Sequence, residues 1–125
     1  MKKHTITIGG RELVFRFDML AWADIEENVG QLTEMQEVLQ GRKRIRGLMN
    51  IVAALANAGE RAEGREENVT VSWLNKMMHP AQFLDVETAA MEAITDGMSM
   101  ESEADDEEEV DLTLREIQKK TGKGD

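Results

Sequence analysis

Large apolar residues and polar ones alternate through "HTITIGGRELVFRF", and two adjacent glycines interrupt the alternation. With Gly9 and Gly10 as a two-residue turn, the spacing predicts a β-hairpin pairing Ile8 with Arg11, Ile6 with Leu13 and His4 with Phe15. A period of two puts Ile6, Ile8, Leu13, Phe15 and Phe17 on one face, and Thr5, Thr7, Glu12, Val14 and Arg16 on the other. A lone hairpin is marginal in water, so that apolar face needs a cover.

The helical period begins directly after the hairpin. Asp18 is placed to cap a helix from Met19 to Val29, with Trp22, Ile25 and Val29 at helical spacing, Gly30 as the stop, and Asp24, Glu26 and Glu27 on the wet side. "TEMQEVLQG" opens with a Thr33-x-x-Gln36 capping box and ends at Gly41, about two helical turns. In "RIRGLMNIVAALANAG" the stripe Ile45, Leu48, Met49, Val52, Leu55 and Ala56 marks a third helix closed by Gly59. "ERAEGREEN" has no period and reads as a mobile loop. Thr70 caps a helix through "VSWLNKMMH" that breaks before Pro80, and His79 with Pro80 starts another whose buried face is Phe83, Val86, Ala90, Ala93 and Ile94, ending at Gly97. The pattern predicts an α+β fold, mainly α, in which an N-terminal hairpin packs on a small bundle of four to five helices.

Composition narrows the picture. A chain of 125 residues with 41% hydrophobic content is one domain with a real core. Aromatics supply only 4%, so Leu, Ile, Val, Ala and the nine Met must fill that core. After Gly97 the character changes: eight acidic residues fall between Glu101 and Asp111, a run that repels itself. The expected organisation is a folded domain over residues 1–97 and a disordered acidic tail over 98–125, with a short amphipathic motif at 110–120. In that motif, "VDLTLREIQKKTG", a Thr113-x-x-Glu116 box introduces Leu114 and Ile117 ahead of Lys119 and Lys120.

The same counts exclude much chemistry. With no cysteine, disulfides, thiolate catalysis and Cys-based zinc sites fall away. A formal charge of -10 opposes nucleic-acid binding. No apolar run approaches the ~18 residues of a membrane span, and "MKKHTITIGG" has no following apolar stretch of an export signal, which points to the cytosol. His4 and His79 have no orienting acid or nucleophile nearby in sequence, Gly9-Gly10 lacks the spacing and lysine of a phosphate loop, and Asp24, Glu26 and Glu27 point in different directions on a helix. The acidic run lacks the glycine and spaced oxygens of a calcium loop. No catalytic, cofactor-binding or metal-binding residue is predicted, and the chain reads as a binder.

Two stretches stand out as interaction candidates. One is "RKRIR", where Arg42, Lys43, Arg44 and Arg46 cluster in an acidic protein, either as a partner surface or as the solvated start of a helix. The other is the 110–120 motif, either docking on a partner or folding back on its own domain. The residues chosen as partner contacts are Ile45, Met49, Met77, Met78 and Met91, with Leu114 and Ile117 in the tail; Met35 is a further surface candidate.

The order of parts resembles the tail assembly chaperones of long-tailed bacteriophages and the related proteins of gene transfer agents. "ITIGGRELVFRFDMLAWADIEENVG" carries the likeness, since a hairpin with a Gly-containing turn leads into a helix of the "LAxxEExxG" type, here "LAWADIEENVG" from Leu20 to Gly30, with four residues in place of two between the LA and EE pairs. The later apolar helices "LMNIVAALANAG" and "FLDVETAAMEAITDG" extend it over about residues 4–97. The resemblance implies a short-form chaperone in the cytoplasm of a bacterial host. It would bind the long, aggregation-prone tape measure protein and help bring tail tube protein to it, without nucleic acid or membrane; homo-oligomerisation stays open. Rival readings are a phage or prophage virion component and a small acidic regulatory or inhibitory protein. A tube subunit needs extensive sheet, and the strand signal stops near residue 17.

Overall fold

The computed structural model describes residues 4–99. Strands β1 (His4–Ile8) and β2 (Arg11–Phe15) form an antiparallel pair in the expected register, from His4 opposite Phe15 to Ile8 opposite Arg11. Gly9 and Gly10 take φ of 59° and 78°, the left-handed pair that a tight two-residue hairpin turn needs and glycine adopts without strain. Ile8, Leu13 and Phe15 are buried, and Ile6 and Phe17 pack half-buried against them. Phe17 lies past the end of β2, where its ring sits 5.7 Å from that of Trp22.

Five helices follow: α1 (Met19–Asn28), α2 (Met35–Val38), α3 (Arg44–Ala62), α4 (Val71–Met77) and α5 (Phe83–Met98). Short 3-10 turns, Leu32–Glu34 and Pro80–Gln82, lead into α2 and α5. The Asp18 carboxylate accepts from the Ala21 N–H at 2.9 Å and the Thr70 hydroxyl from the Trp73 N–H at 3.0 Å, so both expected caps form. Helix α3 is the axis of the core, with Leu48, Ile51, Val52 and Leu55 fully buried and α1, β2, α4 and α5 packed around it. The outer edge of β2 lies along α3, and the Arg16 N–H donates to the Leu55 carbonyl at 3.1 Å. A helix therefore covers the strand edge that would otherwise invite pairing.

Two glycines expected to stop helices sit inside them. Helix α3 runs through Gly59 to Ala62 because that glycine is a spacing residue: a Cβ there would fall 1.9 Å from the Val14 carbonyl oxygen. Helix α5 passes Gly97 to Met98, where a Cβ would stand 2.6 Å from that of Phe17. The Thr33 capping box does not form. The Glu34 carboxylate instead accepts from the Gln31 N–H at 3.0 Å, so the helical turn starts two residues earlier and tucks Leu32 against the core. The stretch read as a mobile loop begins inside α3 and is cross-linked: Arg61 pairs with Glu67, Arg65 with Glu60, and the Asn57 amide both donates to and accepts from the Val69 backbone at 2.9 Å. The acidic run and the 110–120 motif, with Leu114 and Ile117, lie outside the described residues.

Candidate functional site

The beginning of α3, the end of α4 and the beginning of α5 meet around a groove of about 560 Å³. Its construction starts with the turn after α4. Met78 is extended, His79 Nδ1 accepts from the Ala81 N–H at 3.0 Å, and Pro80 occupies the first position of the 3-10 turn, where its missing N–H costs nothing. Gln82 locks this turn twice, its Oε1 accepting from the His79 N–H at 3.2 Å and its Nε2 donating to the Thr7 carbonyl at 2.8 Å. The hairpin thereby holds one wall of the groove. Met49, Leu74, Met78 and Phe83 supply apolar lining, and Ile45 stands beside them, 63% exposed.

The rim is basic. Arg44 lies over the Phe83 ring, 4.9 Å from its centroid, and donates to Glu87 at 3.3 Å. Its Nε is buried with no hydrogen-bond partner among the described residues. One ion pair and one ring face thus hold this guanidinium, each worth about 1 kcal/mol or less at a partly exposed site. Arg42, Lys43 and Arg46 are exposed and make no ion pair among the described residues. Four cations around the first turn of α3 repel one another and oppose the helix dipole, so the helix gains nothing from the cluster.

Ile45 and Met49, one turn apart on α3, meet Met78 here from the end of α4. Met49 serves as floor instead of surface, because only 3% of it is exposed. Met35 is a correction of the same kind: the first turn of α2 directs it into the core, leaving it fully packed among apolar neighbours. Met77 faces away from the groove, close against Gly9 of the hairpin turn, and Met91 lies half-buried on α5 beside shallower depressions near His4 and Leu39. Leu114 and Ile117 are outside the described residues. Leu74 and Arg44 are groove residues that helix periodicity had no means of separating from core filling and solvated charge. Met19, Leu20 and Leu84 are exposed apolar residues that the sequence pattern did not single out.

The buried polar groups fasten elements together. Glu60 receives Arg11 and Arg65, and Arg11 also reaches Asn68 at 2.8 Å and covers the Trp73 ring at 5.5 Å. Burial raises the Glu60 pKa, but the hydrogen bonds and charges of Arg11 and Arg65 outweigh it and leave the carboxyl below its ordinary value. Burial likewise works against the Arg61 charge, and Glu67 and Asp18 more than offset it, so the Arg61 pKa is raised. His4 Nε2 lies 2.5 Å from Asp96 and Nδ1 lies 3.8 Å from Glu92, which joins β1 to α5 across 92 positions of sequence. Among the described residues, no cluster of three His, Asp or Glu is placed to hold a metal ion, and no helix is long and apolar enough to cross a membrane. No protein-family model, curated protein or solved structure matches the chain.

Proposed function

We propose that this chain is a non-enzymatic tail assembly chaperone that holds apolar segments of a tape measure protein in the α3/α4/α5 groove and helps recruit tail tube protein. The observation that carries the reading is the groove itself, where three expected partner contacts converge under a basic rim. Apolar lining supplies affinity, the Met side chains adapt to varied sequences, and the rim charges select among partners and speed encounter. The hairpin leading without a linker into α1 agrees with the sequence resemblance to phage tail chaperones. Strand pairing among the described residues is confined to that hairpin, which favours a chaperone over a ring-forming tube subunit.

Co-expression with the tape measure protein of the same phage or prophage tests the reading. The full chain is expected to raise the soluble fraction of the tape measure protein and to co-purify with it. Ile45→Asp, at an exposed position, should leave the fold intact and abolish both effects. No gain in solubility with the native chain removes the assignment.

A further inference from the structure

We propose that the groove has an intramolecular occupant: the chain's own segment around Leu114 and Ile117, led in by the acidic run from Glu101 to Asp111. Three observations meet here. The first is chemical complementarity, since Arg42 lines the groove with Lys43 and Arg46 close to it in sequence, all three without ion pairs among the described residues, and eight carboxylates precede two apolar side chains spaced i, i+3. The second is reach. Helix α5 starts at Phe83 in the groove wall and carries the chain about 24 Å away to Met98, while residues 100–113 span up to about 46 Å when extended. Leu114 can therefore return to the groove with length to spare. The third is the weakly held Arg44, whose guanidinium makes one ion pair among the described residues, with Glu87, and can exchange it for a carboxylate arriving beside it.

An occupant tethered to its own groove experiences a high effective concentration, so even a weak intrinsic affinity keeps the site filled. The consequence is competition. An incoming apolar segment must displace residues 114–117 first, which shields the groove from casual hydrophobic contacts and releases the acidic run when a true partner binds. This inference concerns the chain alone and stands whether or not that partner is a tape measure protein.

The absence of native cysteine permits a direct test on the full chain. Thr121→Cys carries a nitroxide spin label, and amide signals are compared with the label oxidised and reduced. Broadening is expected at Ile45, Asn75 and Phe83 but not at Gly64, beyond the far end of α3. It should be lost in the labelled chain that also carries Leu114→Ser and Ile117→Ser, whose melting temperature falls slightly while the transition stays cooperative, and should weaken in Arg42→Glu and at high salt. An unbroadened groove overturns the proposal. So does broadening that appears only when labelled chains are mixed with isotope-enriched unlabelled ones, because the occupant is then a second copy. Persistence of the broadening in the double Ser variant also overturns it.

Discussion

Gly59 shows how a single hydrogen atom in place of a side chain sets the fold. A methyl group there would meet the Val14 backbone, which flexible side chains cannot relieve by turning aside. Gly59→Ala must push β2 away from α3 and break the contact between Arg16 and Leu55, so a loss of about 3 kcal/mol or more is expected in urea denaturation. Gly64→Ala, in open space but at a φ of 75°, should cost only the backbone strain of about 1 to 2 kcal/mol. Glu60 makes the corresponding electrostatic prediction. Its folded pKa is lowered from 4.5, so its stabilising contribution is complete above that ordinary value and disappears as pH falls through the lower folded value. Urea midpoints measured on acidification should therefore fall in the native chain. In Glu60→Gln the midpoint should start lower at neutral pH and change less on acidification.

Elements differ in how openly the sequence declares them. The hairpin was legible down to its register, because alternation and a Gly-Gly turn fix both face and pairing at once. Phe15→Asp is accordingly expected to abolish the cooperative thermal transition, since an unpaired buried carboxylate costs several kcal/mol against a total stability of ~5 to 15 kcal/mol. The caps at Asp18 and Thr70 were equally readable from residue type and position. Asp18 does more than its local pattern implies, because it also receives Arg61 from the far end of α3. Asp18→Ala should lower stability by about 1 to 2 kcal/mol, the cap accounting for most of it and the ion pair for the rest. The end of α5 fell within one residue of Gly97, but that of α3 was misread for a physical reason: a glycine that stops a helix and a glycine that admits a neighbouring backbone look alike in one dimension. The Glu60 pair with Arg11 and the His4 contact with Asp96 were invisible for another reason, because their partners come from elements that meet only after folding.

At the scale of the whole molecule, the hairpin acts as a brace. Through Gln82 and Thr7 it fixes the turn that forms one wall of the groove, and through β2 it fixes α3, whose first turn forms another. Sequence periodicity put Ile45 and Met49 on one stripe of α3, yet their meeting with Met78 at the end of α4 and Phe83 at the start of α5 depends on the packing of three helices and could not be read from any one of them. Partner capture thus falls at the α3/α4/α5 groove, whose lining includes neither Met19 nor Leu20, the exposed apolar residues of α1. Hydrogen–deuterium exchange on the chain co-purified with a tape measure protein distinguishes these surfaces most directly. Relative to the free Leu114→Ser, Ile117→Ser variant, in which the groove is empty, the complex is expected to gain protection across residues 41–49 and 74–83, with the first turn of α1 unchanged. Protection confined to α1, or none at the groove, would contradict it.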